Sequence, residues 1–187
     1  MKAVLKPAIV LLSFFVLLTG VLYPLAVWAV AQGIFPAQAN GSLVLRDGQA
    51  LGSSLIGQGF DDPRYFWGRP SAVGYDAAAS AGSNLGPSNP ALQEAVAQRI
   101  AALQAADPGN AAPIPADLVT TSGSGLDPHI SVASAYYQVG RVARLRGLPE
   151  AQVVALVEGL ILSRQLGFLG EPTVNVLELN LALDGLQ

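Results

Sequence analysis

An uncharged apolar stretch near the N-terminus constrains this chain more than any other feature. Residues 8–31 form a run of 24 without a charge, and no charged residue lies between Lys6 and Arg46. A helix rises about 1.5 Å per residue, so the run would be roughly 36 Å long. That exceeds the roughly 30 Å hydrocarbon core of a bilayer. The sequence therefore predicts one membrane-spanning helix at residues 8–31, after a short segment at residues 1–7.

The charges around this stretch predict its orientation. Lys2 and Lys6 precede it, whereas residues 32–45 contain no Lys or Arg. The positive-inside rule then places the N-terminus in the cytoplasm and everything after the helix outside. The alternative is a cleaved signal peptide, with Ala37-Gln38-Ala39 resembling a cleavage site. The apolar core of a signal peptide is about 7–15 residues long, so the length of this run favours a retained anchor.

Small side chains mark one part of the helix as a candidate packing surface. Ser13 and Gly20 lie seven residues apart and share a face, and Thr19 adjoins Gly20. Small residues let helices approach each other closely in lipid. Pro24 removes one backbone hydrogen bond, so a bend is expected there.

Composition limits the chemistry of the remaining chain. There is no cysteine, which excludes disulfides, thiol catalysis and Cys-based metal sites. Both lysines precede the apolar stretch, so the outer part has eight arginines against thirteen acidic residues, a formal charge of −5. A nucleic-acid-binding domain needs a basic footprint, so nucleic acid is not expected as a partner. A P-loop lysine and a lysine Schiff base are also excluded from this part.

The outer part, residues 42–187, is predicted as one α+β domain after a tether at residues 32–41. Asp47-Gly48 between two short apolar runs is a hairpin turn signal. Asn89 followed by Pro90, and Asn175 with Glu178 three residues later, are helix starts, and either Ser131 or Asp127 can cap the helix that ends at about Arg146. The predicted strands cover residues 43–46, 49–51 and 173–174, with an extended piece at 55–58; the predicted helices cover residues 90–106, 132–146, 149–167 and 176–184.

An aromatic segment at residues 60–70, FDDPRYFWGRP, has two interpretations. Aromatic residues and arginine are typical anchors of protein interfaces. The segment could instead be an aromatic clamp over the core, with arginine stacked on its rings. The second interpretation is slightly favoured, with Arg64 and Arg69 as the nearest cations.

The stretch SGSGLDPHIS at residues 122–131 contains the only histidine. A membrane-anchored serine hydrolase would use Ser124 as nucleophile and His129 as base, with Asp127 nearby. The pattern differs from the G-x-S-x-G nucleophile elbow, and neighbours in sequence rarely supply triad geometry. The Gly-rich loops at residues 82–86 and 123–125 could hold phosphate in principle, but neither has the P-loop pattern. No metal site is predicted, and the residues alone leave the role of the domain open.

Seven segments, in order along nearly the whole chain, resemble the C subunit of the bacterial Kdp potassium-transporting P-type ATPase. They are TGVLYP at 19–24, GSSLIGQ at 52–58, YFWGRPSA at 65–72, SAGSNLGPSNP at 80–90, PADLVTTSGSGLDPHIS at 115–131, QVGRVARLRG at 138–147 and VNVLELNLALD at 174–184. The SGSGLDPHIS and VNVLELN segments are the most specific.

The resemblance implies a non-catalytic accessory subunit of a high-affinity, ATP-driven potassium uptake complex. Its expected location is the bacterial inner membrane, with a single span and a periplasmic C-terminal domain. The implied partners are a potassium-binding channel-like subunit, a P-type ATPase subunit, a small membrane peptide and the lipid bilayer. The family's subunit is needed for assembly and is described as a catalytic chaperone that raises the ATPase subunit's affinity for ATP. Potassium would be carried by the partners, and ATP would be met only through the complex.

Two polar loops are the candidate contact surface of such a subunit, with turns that maintain the domain's own shape as an equal alternative. The candidate residues are Ser80, Ser83, Asn84, Gly86, Asn89, Ser122, Ser124, Gly125, Asp127 and His129, together with Ser13, Thr19 and Gly20 on the membrane helix.

Overall fold

A computed structural model describes residues 2–46 and 48–186 of the chain. It divides into two compact units, Met1–Leu51 and Gly52–Gln187, which are described separately below. Strands and helices occur after one N-terminal apolar helix, so the predicted α+β class with a single candidate membrane span is confirmed.

The first unit is dominated by one long helix. It comprises α1 (Lys2–Leu17), a π-helical turn (Leu18–Leu22) and α2 (Tyr23–Ile34). Its Ala3–Ile34 portion, 32 residues, is long and apolar enough to cross a membrane. The side chains are exposed along almost all of it. The predicted span at residues 8–31 lies within this helix.

The π-helical turn lies directly before Pro24. The Tyr23 N–H donates to the Leu18 carbonyl oxygen, a wider loop than the usual i to i−4 bond. Pro24 has no N–H to donate back to Gly20, so the local ladder is already interrupted there. The Thr19 hydroxyl turns back onto the Phe15 carbonyl at 2.7 Å. The proline therefore changes the helical winding next to Thr19 and Gly20.

The segment after the helix differs from the predicted loop. Gln32 still belongs to α2, and α3 (Pro36–Ala39) forms a further single turn. The Asn40 side chain donates to Gln32 at 3.1 Å and to the Pro36 carbonyl at 2.7 Å, which closes this turn. The two-stranded sheet of β1 (Leu43–Arg46) and β2 (Gln49–Ser53) follows as predicted. Gly48 has the positive φ of +78° expected of the turn, whereas Asp47 lies outside the described residues.

The second unit packs helices against a small antiparallel sheet. Its helices are α4 (Pro90–Ala106), α5 (Val132–Arg146), α6 (Glu150–Gly159) and α7 (Val176–Asp184). Its sheet contains β3 (His129–Ser131), β4 (Ile161–Leu162) and β5 (Thr173–Asn175) in the order β3-β5-β4. Short 3₁₀ turns occur at Ala77–Ala79 and Ala116–Leu118. Val174 at the centre of β5 lies opposite both Ile130 and Ile161.

Three of these helices begin at capping side chains that the sequence contains. Asn89 accepts from the Ala91 N–H, Ser131 from Ser134 and Asn175 from Glu178. Each cap satisfies one N–H of the first turn that has no partner inside the helix. Helix α5 ends at Gly147, which has a left-handed φ of +66°. These caps confirm the predicted starts of α4, α5 and α7.

One continuous core joins the elements of the second unit. Its buried apolar side chains are Phe66, Leu103, Leu118, Ile130, Ala135, Val139, Val142, Ala143, Val153, Val157, Val174, Val176, Leu179 and Leu183. Helix α5 contributes the largest share, with Ala135, Val139 and Val142 in a spacing of four and three. The core therefore sits between α5, α6, α7 and the sheet.

Two predicted elements are wrong. The helix starting after Pro149 ends at Gly159 rather than near residue 167, because Ile161 and Leu162 leave the helix to pair with β5. The extended piece at residues 55–58 contains no strand. There the Gly57 N–H donates to the Leu126 carbonyl at 2.8 Å, a contact with a loop rather than with a sheet.

Candidate functional site

The two polar loops predicted as candidate sites lie against each other. The Ser80 hydroxyl donates to the Ser124 carbonyl at 3.1 Å, and the Thr121 hydroxyl donates to the Ser83 hydroxyl at 3.0 Å. The two loops approach closely at Gly82, because a Cβ there would lie 3.0 Å from the Gly123 carbonyl oxygen and would be crowded. Two segments 44 residues apart therefore form one structural unit.

Ser122 and Gly125 shape the second loop from within. The buried Ser122 hydroxyl accepts from the Gly125 N–H at 2.9 Å, and the Ser71 hydroxyl donates to the Gly125 carbonyl at 2.6 Å. Gly125 has a φ of +67°, and a Cβ there would lie 2.7 Å from the Ala81 carbonyl. Neither residue is available to a ligand, since both serve the loop itself.

Ser124 and His129 are not arranged as nucleophile and base. The Ser124 hydroxyl accepts from the Leu126 N–H at 3.1 Å. The His129 Nδ1 lies 3.7 Å from the Asp127 carboxylate, too far for a good hydrogen bond. Among the hydrogen bonds that the structure describes, none joins Ser124 to His129. The geometry therefore does not favour the hydrolase alternative.

Asp127 holds the loop through both carboxylate oxygens. One accepts from the His129 N–H at 3.0 Å and the other from the Arg69 guanidinium at 3.1 Å. Burial raises the pKa of the Asp127 carboxyl, but the hydrogen bond from the His129 backbone N–H and the nearby Arg69 guanidinium outweigh it and hold that pKa below its usual value. Asp127 is thus an ionised brace that ties the loop to Arg69.

The remaining predicted residues divide by exposure. Asn84 is exposed with a left-handed φ of +52°, and its amide donates to the Gly82 carbonyl at 3.2 Å. Gly86 is exposed, with open space where a Cβ would be, and Asn89 is the helix cap. The outward parts of this surface are therefore Ser80, Asn84, Gly86 and Ser124.

Two buried amide side chains, which the sequence analysis missed, hold the aromatic segment. Asn180 accepts from the Phe66 N–H at 2.9 Å and donates to the Phe66 carbonyl at 3.0 Å. Gln138 does the same for Trp67, at 2.8 and 3.1 Å. Each amide replaces the partner that a neighbouring strand would give to a β-strand. The signal in the sequence is a lone amide on the apolar face of a helix, as with Asn180 beside Leu179.

Two arginines of α5 complete the clamp. Arg141 lies 4.7 Å from the centre of the Trp67 ring, and Arg146 lies 4.4 Å from that of Tyr65. Arg141 is 2% exposed and donates to the Pro63 and Tyr65 carbonyls. Burial lowers the pKa of Arg141 to about 10, so it remains charged at neutral pH. The clamp interpretation is confirmed, although the stacked arginines come from α5 rather than from the segment.

One small cavity lies beside this clamp. It has a volume of about 140 Å³, and its lining includes Trp67, Arg69, Tyr75 and Arg99. In the described part of the chain, no group of three or more His, Cys, Asp and Glu residues could hold a metal ion.

These features define a class of protein: a compact domain that follows one apolar helix long enough to span a membrane. One apolar helix of membrane-spanning length precedes a compact domain, and the polar motifs of that domain mainly hold its own loops in place. The chain belongs to the KdpC family, since the profile of that family, "K+-transporting ATPase, c chain", matches residues 5–185.

Curated relatives align with this chain over nearly their full length. The chain is 64% identical to the potassium-transporting ATPase KdpC subunit of Polaromonas naphthalenivorans over 190 residues, covering 100% of this chain and 97% of the relative. It is 64% identical to that of Sorangium cellulosum over 188 residues, covering 99% of each. For Herpetosiphon aurantiacus the identity is 61% over 187 residues, covering 98% and 97%. The predicted family is therefore confirmed.

Proposed function

We propose that this chain is a non-catalytic subunit that assembles and stabilises an ATP-driven potassium uptake complex. The observation that carries the proposal is full-length membership of a family named for a subunit of such an ATPase. The internal use of the polar motifs supports it. Ser122, Gly125 and Asp127 all hold the loop that contains them, as a scaffold requires and a catalytic site does not.

The proposed topology follows from charge. Lys2 and Lys6 hold the N-terminus in the cytoplasm, and the domain faces the periplasm of a bacterial inner membrane. Labelling of a cysteine introduced into the domain by a membrane-impermeant maleimide, in intact cells, tests this orientation. The natural chain has no cysteine to interfere. Labelling only after the cells are opened would reverse the assignment.

The proposed partners are the channel-like subunit, the ATPase subunit and a small membrane peptide. The helix face at Ser13, Thr19 and Gly20 supports close packing in lipid, because no atom lies within 4 Å of a Cβ built at Gly20. The outer domain would lie near the ion entrance, with Ser80, Asn84, Asp127 and His129 as candidate contacts.

The proposed effect on ATP affinity acts through the complex. On the proposed topology the outer domain is separated by the membrane from cytoplasmic ATP. The Gly-rich loops also lie against each other, since the Ser80 hydroxyl donates to the Ser124 carbonyl and a Cβ at Gly82 would crowd the Gly123 carbonyl oxygen. Raising the ATP affinity of the catalytic subunit would therefore be a consequence of assembly rather than of nucleotide contact with this domain.

Purification through a tagged ATPase subunit tests the assembly role. Without this chain, we expect little intact complex and little potassium-stimulated ATPase activity. Asn84→Ala, Asp127→Ala and His129→Ala test the candidate contacts, with Gln104→Ala on the exposed side of α4 as control. We expect Asn84→Ala or His129→Ala to lower recovery by about tenfold, the loss of a single interface anchor, whereas a loss seen with Asp127→Ala alone would reflect the loop that this carboxylate braces. Normal recovery and activity for all three would rule these residues out as contacts.

A further inference from the structure

The segment between β4 and β5 forms an exposed hairpin that plays no part in the polar loops described above. Gln165 and Leu169 exchange two backbone hydrogen bonds, each 2.9 Å long, and so close a tight turn. Arg164 and Glu171 pair at 2.6 Å at its base. We refer to residues 163–172 as the β4–β5 hairpin.

Apolar side chains at the tip of this hairpin face solvent. Leu166 is 84% exposed and Phe168 is 69% exposed. Of the seven large hydrophobic side chains exposed in the described part of the second unit, four lie at residues 162–169. Concentration of exposed apolar surface in one place is typical of an interaction site rather than of ordinary surface composition.

The backbone of the turn holds Leu166 outward at a conformational cost. Leu166 has a φ of +52° and Gly167 one of +82°. Gly and Asn adopt this left-handed region more readily than leucine, whose Cβ is crowded there. A turn selected only for stability would place Asn or Gly at residue 166. The leucine therefore points to a requirement for its side chain.

Charge and hydrogen bonding favour a protein partner. Residues 165–170 contain no charged side chain, so the tip offers nothing to a lipid headgroup or an acidic peptide. Within the described structure, no hydrogen bond reaches the carbonyl oxygens of Leu166, Gly167 or Phe168. Unpaired carbonyls are costly in hydrocarbon. A protein pocket with apolar walls and a polar rim can accept both the apolar side chains of the tip and its backbone carbonyl oxygens.

Polar residues of this chain surround the base of the hairpin and could face the polar rim of a partner's pocket. An open groove at its base is lined by His129, Gln165 and Thr173, among others. This groove makes the hairpin continuous with the Asp127 and His129 region already considered as a contact surface. A partner that covers the tip would therefore also reach the His129 side chain.

We propose that the β4–β5 hairpin inserts Leu166 and Phe168 into an apolar pocket on another subunit of the potassium-transporting ATPase complex. The inference rests on the proposed function, since it requires that the chain assembles with such subunits. It adds the segment through which the outer domain docks.

A single introduced cysteine tests the location directly. Leu166→Cys is made in the full chain, and its reaction with a membrane-impermeant maleimide is compared in the complex and in the chain expressed without partners. We expect labelling about tenfold slower in the complex, the protection of a buried anchor. Gln104→Cys is the control and should react equally in both. Equal labelling of Leu166→Cys in both would overturn the proposal, and protection in both would indicate lipid instead and also overturn it.

A second variant separates docking from folding. Leu166→Asn suits the left-handed backbone and removes the apolar group, so Leu166→Asn with Phe168→Ser should leave the free chain stable. We expect recovery with a tagged ATPase subunit to fall about tenfold. Recovery equal to that of the natural chain would refute the hairpin inference alone. If the natural chain itself does not copurify, the proposed function fails, and the docking inference with it.

Discussion

At the scale of residues, the main structural device is the recognition of backbone by buried amide side chains. Asn180 is 1% exposed and pairs with both polar groups of the Phe66 backbone. Gln138 pairs with both polar groups of the Trp67 backbone in the same way, and its side-chain oxygen also accepts a hydrogen bond from Arg141 at 2.6 Å. An irregular segment can therefore lie in the core without unpaired peptide groups, which would otherwise oppose its burial.

Removal of the Asn180 amide should destabilise the domain strongly. Asn180→Ala leaves the buried Phe66 N–H and carbonyl unpaired, so we expect a loss of about 2–5 kcal/mol in the free energy of unfolding. Urea unfolding of the full chain in detergent measures it, with Trp28→Phe leaving Trp67 as the only fluorescent tryptophan. Gln104→Ala on the exposed face of α4 should change stability by less than about 0.5 kcal/mol. Equal effects for the two would contradict this role.

At the scale of elements, the sequence predicted the helix starts that local capping residues determine. It did not predict the elements and contacts that depend on pairing between distant parts of the chain. Asn89, Ser131 and Asn175 identify helix starts because a cap acts within its own turn. Strand β4 is two residues long and continues the apolar spacing of α6, so only its pairing with Val174 distinguishes it from helix. Similarly, the sequence indicated both polar loops but not their contact, which joins residues distant in the chain.

The N-terminal apolar helix, on the proposed topology, allows a prediction about how it packs against a partner helix. Gly20→Leu should reduce recovery of the complex, because the new side chain blocks close approach of a partner helix at the small-residue face. Ala29→Leu is the matched control, since it adds a similar bulk nine residues further along, about two and a half turns away and so on the other side of the helix. Quantitative blotting of the membrane fraction measures insertion, which we expect to be normal for both variants. A fully assembled Gly20→Leu complex would leave the helix as an anchor only.

At the scale of the whole molecule, ionised carboxylates link loops to helices and make stability depend on pH. Burial raises the pKa of the Asp117 carboxyl, but hydrogen bonds from Ser134 and Ser131 outweigh it, and the net pKa is below the usual value. The Ser134 hydroxyl lies 2.6 Å from this carboxylate and the Ser131 N–H 2.8 Å from it. Asp117 therefore joins its 3₁₀ turn to the start of α5, and Asp127 joins its loop to Arg69.

Acid should therefore weaken the fold. A carboxyl whose folded pKa is lowered contributes stability above its unfolded pKa of about 3.9, and that stability is lost as pH falls through the folded pKa. We expect urea midpoints to be level from about pH 7 to 5 and to fall below that. Asp117→Asn should be less stable at pH 7 and show a shallower acid dependence, whereas Glu94→Gln on exposed α4 should follow the natural chain. An unchanged pH profile for Asp117→Asn would refute this linkage.

The long sequence separation between Asn180 and Phe66 also determines how late in synthesis the domain can finish folding. Its bonds to Phe66 span 114 positions of the chain, and those of Gln138 to Trp67 span 71. During synthesis the aromatic segment emerges first, whereas α7, which holds Phe66, is the last of the described helices to be made. We expect a nascent domain to stay open until α7 has been made and, on the proposed topology, has crossed the membrane, so that no native surface exists before then for a partner to meet.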